Sequence, residues 1–132
     1  PPTPRSSLAW RCVGAGTRRG QSETAIGSKV CRQLRAALRG VSLGKTTLTV
    51  TYEPVWAISR GLGTGHAVPP GHAVKIVQKL KKLAPRARFI YGGSVDARNA
   101  PGFAREPLLQ GALVGGASLV PEEFLKIVRS FA

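Results

Sequence analysis

The sequence contains no methionine, two cysteines, two histidines and only six acidic residues against twenty basic ones. Without a methionine anywhere, its first position included, the chain reads as a piece of a longer polypeptide. Cys12 falls in a strand-like run and Cys31 on the apolar side of a helix, so both are expected as buried, reduced thiols rather than as a disulfide framework. With only His66 and His72 beside them, no cluster with metal-ligand spacing can be assembled. No apolar run approaches the roughly 20 residues that span a bilayer, which excludes a hydrophobic transmembrane helix. The first seven residues, Pro1-Pro2-Thr3-Pro4-Arg5-Ser6-Ser7, lack the apolar core of a secretion signal and read as a disordered leader; a cytoplasmic location is expected.

The shortage of acids leaves a net charge of +14 and a pI near 11.4. Such a balance raises the question of nucleic acid, because each phosphate neutralised releases counterions. The basic residues are nevertheless spread along the chain, as Arg18-Arg19, Arg32, Arg35, Arg39, Lys79, Lys81, Lys82, Arg86 and Arg88. They read as solvated helix faces and turns, and a nucleic-acid partner is not expected. An anionic small-molecule substrate would benefit from the same field.

What is present is one domain's worth of alternating elements. The 132 residues are 42% hydrophobic, enough for a real core and too much for disorder throughout. Four strand-like runs each precede a helical pattern. Residues 9–13 lead to a helix over 23–39, with Ile26, Val30, Leu34 and Leu38 recurring every four residues. Residues 47–52 lead to a helix over 70–83, with Val74, Val77, Leu80 and Leu83 expected inward and Pro70 in its first turn. Residues 87–91 precede a shorter helix over 97–104 with Asp96 as N-cap. Residues 111–114 precede a closing helix from Pro121, in which Glu122 and Glu123 favour the helix dipole and Phe124, Ile127, Val128 and Phe131 are expected buried. The order βαβαβαβα, with short strands lacking strict alternation, predicts a parallel sheet buried on both faces. One domain over residues 8–132 follows the leader at 1–7.

The chemistry concentrates at strand ends. Tyr52-Glu53-Pro54-Val55-Trp56-Ala57-Ile58 places a single carboxylate where the second strand opens into a loop. That is the position at which parallel α/β sheets hold catalytic groups. Tyr91-Gly92-Gly93-Ser94-Val95 and Gly111-Ala112-Leu113-Val114-Gly115-Gly116-Ala117-Ser118-Leu119 repeat the pattern of a strand followed by glycines, which suits a phosphate or carbonyl ligand.

These three runs, with Gly63-Thr64-Gly65 between the first and second, resemble triosephosphate isomerases in order and spacing, and Arg11-Cys12-Val13-Gly14 is similar to the fifth strand of that family. The resemblance covers residues 8–132 and implies half of a (β/α)8 barrel, strands five to eight. It further implies an aldose–ketose isomerase of glycolysis and gluconeogenesis that interconverts dihydroxyacetone phosphate and glyceraldehyde 3-phosphate without a cofactor, as a homodimer in the full-length family member. By resemblance Glu53 is the general base, and Gly63, Ser94, Gly115 and Gly116 hold the substrate phosphate. Pro54, Val55, Trp56, Ala57 and Ile58 begin the lid, which runs to about Val68, and Tyr91 holds the lid closed.

The chain also departs from the family pattern. Ser59-Arg60-Gly61-Leu62 is inserted between Ile58 and Gly63, which leaves the phosphate-binding glycine as Gly63, or Gly61 in a shifted register. Ala15 stands where the family places a glutamate that supports the lid tryptophan, and Gln110 where an aspartate is common. No residue matches the asparagine, lysine and electrophilic histidine of the family's first half, or its subunit-docking loop. His66 and His72 lie in and after the lid and are wrongly placed to polarise a substrate carbonyl. The isolated chain is therefore expected to be inactive. The other reading is a repurposed basic half-barrel that binds phosphate ligands or nucleic acid.

Overall fold

A computed structural model describes residues 8–42, 47–58 and 66–132. The expected leader, the inserted Ser59–Leu62 segment and Gly63 lie outside the described residues. Four strands, β1 (Leu8–Val13), β2 (Thr47–Tyr52), β3 (Arg88–Gly92) and β4 (Ala112–Leu113), alternate with four helices, α1 (Glu23–Leu38), α2 (Pro70–Leu83), α3 (Ala100–Ala104) and α4 (Pro121–Ser130). The sheet runs β1-β2-β3-β4, every neighbouring pair parallel. Consecutive order with a helix after each strand is an arc of a β/α barrel.

Local chemistry explains where the helices start. Ser22 caps α1, its hydroxyl accepting the N–H of Ala25, and Glu23 occupies the first turn. Pro70 and Pro121 open α2 and α4, where a missing N–H costs nothing. The third helix is shorter than its sequence pattern. Asp96 does not cap it directly: its Oδ1 accepts the N–H groups of Arg98 and Asn99 and closes a turn, so helical geometry begins only at Ala100.

The core lies between the sheet's outer face and the helices. Val13, Leu48, Val50, Tyr52, Phe89 and Tyr91 point outward from the strands and are buried against Ile26, Val30 and Leu34 of α1 and Ala73, Ile76, Val77 and Leu80 of α2. Each such aliphatic or aromatic side chain contributes about 1.5–3 kcal/mol by leaving water. The buried stripe of α2 is rotated from the expected one: Ala73 and Ile76 are inside, while Val74 and Leu83 pack only partly.

Three expectations of burial fail for one reason. The sheet is covered on its outer face but not on its inner one, so Leu8 and Trp10 of β1 are exposed. Cys12, on that same inner face, is open to solvent, and Cys31 is half-buried; both are free thiols. In α4 only Ile127 is buried, whereas Phe124, Leu125 and Val128 are exposed. Among the described residues no element lies beyond β4 or across the interior to cover these side chains.

Candidate active site

The carboxyl ends of the strands gather the residues singled out by the sequence. The β1–β2 register pairs Cys12 with Thr51 and Val13 with Tyr52, so Glu53, one residue on, returns to the inner face above Thr51. Its backbone N–H donates to the Val13 carbonyl at 2.8 Å, which continues the ladder past the strand end. Its side chain is half-buried and passes close to Gly92, where an added Cβ would lie 3.3 Å from the Glu53 Cβ and Cγ. The Cys12 thiol also lies beside it. Partial burial and the Glu53 charge push that thiol above its usual range, opposed by the Thr51 hydroxyl.

Behind Glu53 stands a support that chain order does not reveal. Gly14 has a φ of +130° and approaches so closely that a Cβ there would meet the Glu53 carbonyl oxygen at 2.3 Å. Its N–H donates to Gln33 Oε1 at 2.8 Å, and Gln33 Nε2 donates to the Ala15 carbonyl at 2.7 Å. Thr17 closes the turn through its N–H and hydroxyl, both donating to the Gly14 carbonyl. Gln33 and Thr17 escape sequence reading because a glutamine on a helix and a threonine in a turn carry no motif.

The segment after Glu53 is held at both described ends. Residues 55–57 form one tight helical turn, and the Ala57 carbonyl accepts both the N–H and the Oγ–H of Ser94 at 2.8 Å. Asn99 Nδ2 donates to the Ser94 carbonyl at 2.7 Å. At the far end the Tyr91 hydroxyl accepts the Val68 N–H at 3.1 Å, and the Tyr91 ring stacks on Phe103 with centroids 4.3 Å apart. Burial pushes the Tyr91 hydroxyl up to about 12, against the opposing effect of the Val68 N–H. The expected Tyr91 and Ser94 positions are therefore brought to the 54–68 segment.

Trp56 is half-buried beneath the Arg19 guanidinium, 5.4 Å from the ring centroid. Its indole Nε1 is buried and finds no hydrogen-bond partner among the described residues. His72 sits behind the sheet rather than at the mouth, with Nε2 hydrogen-bonded to the Tyr52 hydroxyl at 3.1 Å and Nδ1 3.8 Å from Glu23 Oε1. Burial lowers its pKa, Glu23 raises it and Lys75 lowers it. Burial, with Tyr91 nearby, drives the Tyr52 hydroxyl well above its usual range.

The glycines after β4 lie at the same mouth. Gly115 has open space around it, and its carbonyl accepts the N–H and hydroxyl of Ser118 at the start of a short helical turn over Gly116–Leu119. Two clefts, about 640 and 460 Å³, lie on the outer layer between α1 and α2, lined by Lys79 and Lys82 among others. They are far from the strand ends and belong to the helix packing. Among the described residues no three His, Cys, Asp or Glu side chains come together as a metal site, and no helix is long and apolar enough to cross a membrane.

Comparison with known proteins places this arrangement. The family model described as "Triosephosphate isomerase" matches residues 9–131. Among relatives, the triosephosphate isomerase of Leifsonia xyli subsp. xyli is 43% identical over 106 residues, covering 74% of this chain and 39% of the relative. Those of Aquifex aeolicus and Marinobacter nauticus are each 38% identical, covering 91% and 94% of this chain and 50% of each relative. The chain thus spans about half the length or less of the curated relatives it matches. With nearly all of its residues inside the family model, the chain belongs to the triosephosphate isomerase family.

Proposed function

We propose that this chain carries the proton-transfer and phosphate-binding arc of a triosephosphate isomerase, the reaction that interconverts dihydroxyacetone phosphate and glyceraldehyde 3-phosphate. The observation that carries the reading is the position of Glu53, on the inner face at the carboxyl end of β2 and fixed through the Val13 and Gly14 backbone. Its carboxylate takes the proton from the carbon beside the substrate carbonyl. The released electron pair forms the enediolate, and the protonated Glu53 carboxyl, whose proton exchanges with solvent, returns a proton to the neighbouring carbon. The N–H groups at Gly115 and Gly116, opening a short turn, face the substrate phosphate. Ser94 and Tyr91 act on the lid, through Ala57 and Val68. Gly63 is assigned to the phosphate by resemblance alone. A place in glycolysis and gluconeogenesis, in the cytoplasm, goes with the same reading.

The 132 residues hold no donor that matches the family's electrophile, and among the described residues no element crosses the sheet's inner face to exclude water. Loss of one donor to a developing oxyanion costs about 10²–10³ in kcat, and an open pocket weakens every electrostatic contact further. The chain by itself therefore turns over neither triose phosphate measurably. Fusing upstream of Leu8 the part of the Aquifex aeolicus relative that this chain does not cover should yield isomerase activity. Turnover by the isolated chain that Glu53→Gln abolishes would overturn the reading of an incomplete site. A folded fusion with no turnover would overturn the assignment of the arc.

A further inference from the structure

The helices α1 and α2 pack side by side on the outer layer and leave a groove of about 460 Å³ between them. Arg32 and Arg35 line it from α1, and Lys79 and Lys82 from α2. These cations are spread out in the sequence, and the fold gathers them. Each pair is three residues apart, so it stands on one side of its helix, about one 5.4 Å turn from end to end. Cys31 and Leu83, both half-buried, give the groove an apolar floor. The Lys79 stem lies over Gly27 of α1, where an added Cβ would meet its Cδ at 2.5 Å and its Nζ at 3.2 Å, so that ammonium is held across the groove.

All six acidic residues of the chain lie among the described residues, and none stands within ion-pair distance of these four cations. Glu23, in the adjoining cleft of about 640 Å³, is engaged by Lys75 and His72. Like charges three residues apart repel along each helix, and a groove that gathers four of them is complementary to an anionic partner. Both walls are elements of this chain. In consecutive β/α order a helix before α1 packs on its opposite flank, so the groove stays open in a longer barrel.

We infer that this groove docks an acidic amphipathic helix of a partner protein. Cations one turn apart on both walls match carboxylates at every third or fourth residue of a third helix laid between them. The two arginine forks take carboxylates in bidentate fashion. Cys31, Leu83 and the aliphatic stems of Lys79 and Lys82 receive the apolar stripe between those carboxylates. Two other anionic surfaces fit less well. No aromatic side chain lines either cleft, so a nucleic acid would find nothing on which to stack a base. The apolar side chains of the groove form its floor and do not project, so a lipid surface would gain no insertion. The inference stands apart from Glu53 and from the isomerase reading.

Fluorescence anisotropy with a labelled helical peptide, its leucines at every third or fourth residue between glutamates, tests this. The peptide should bind the chain saturably, and equally well the folded fusion with the uncovered part of the Aquifex aeolicus relative. Arg32→Gln with Arg35→Gln, or Lys79→Gln with Lys82→Gln, should each weaken binding about tenfold with the far-UV circular dichroism unchanged. Lys126→Gln with Arg129→Gln removes the same charge from α4 and should leave affinity within about twofold. A peptide of the same composition with its leucines scrambled off the stripe should bind about tenfold more weakly. An arm that needs no variant is alkylation of Cys31 by iodoacetamide, which the bound peptide should slow while Cys12 reacts as before. No saturable binding, an equal loss from the α4 pair, equal binding of the scrambled peptide, or loss of binding in the folded fusion would overturn the inference. So would tighter binding of a thymidine oligonucleotide or of phosphatidylserine vesicles that the groove substitutions weaken, since the groove would then serve that partner.

Discussion

Replacing Gly14 with alanine drives a methyl group into the backbone that carries Glu53. The new Cβ would stand 2.3 Å from the Glu53 carbonyl oxygen, 2.6 Å from its carbon and 2.9 Å from the Pro54 nitrogen. None of these atoms is the far end of a flexible side chain, so the two strand ends must separate by about 1 Å to reach ordinary contact. Separation stretches the 2.8 Å bond from the Glu53 N–H to the Val13 carbonyl, worth about 0.5–1.5 kcal/mol. A φ of +130° adds about 1–3 kcal/mol of backbone strain for any residue with a Cβ. The total is roughly 2–4 kcal/mol. Gly20→Ala isolates the strain, because Gly20 also has a positive φ, +83°, but nothing within 4 Å of an added Cβ. Urea unfolding of the two variants should show Gly14→Ala losing about 0.5–1.5 kcal/mol more than Gly20→Ala, at an unchanged m value. Equal losses would refute the close approach as the device that positions Glu53.

Further outcomes follow from the neighbouring contacts. Ala15→Glu should give the orphaned Trp56 indole N–H an acceptor and raise stability by about 1–2 kcal/mol in urea unfolding, a gain that disappears in a Trp56→Phe background. Tyr91→Phe removes the acceptor of the Val68 N–H and should cost about 1–3 kcal/mol, read as a lower urea midpoint. His72 has a folded-state pKa below its unfolded value, so the fold favours the neutral ring. Its contribution is fully present above about pH 6.5 and is lost as the pH falls below that. Urea midpoints measured from neutral pH downward should decline, and His72→Phe should flatten that decline.

Much of the fold was written in local patterns. The β-branched run Thr47-Leu48-Thr49-Val50-Thr51-Tyr52 forms β2 over those same six residues, and α2 begins at Pro70 and ends at Leu83 as its periodicity and proline require. Failures of burial at Phe124, Val128, Trp10 and Cys12 share another origin. Their apolar pattern encodes a neighbour outside the four-stranded arc, and a pattern states that a face is to be covered without stating by what. The site shows the same division. Glu53, Tyr91, Ser94 and Gly115–Gly116 sit in motifs at strand ends and were legible. Gln33, which fastens Gly14 from α1, was not, because a contact 19 residues away leaves no trace in spacing.

The most direct test of Glu53 as the proton-transferring group is the kinetics of Glu53→Gln in the fused, completed barrel. The amide preserves the side chain's size and the close passage beside Gly92 but cannot accept the substrate proton. The account predicts a kcat lowered by about 10²–10⁴-fold with KM little changed, and a matching loss of solvent-deuterium exchange into the triose phosphate. A variant that keeps kcat within a few-fold of the parent fusion and still exchanges deuterium would contradict it.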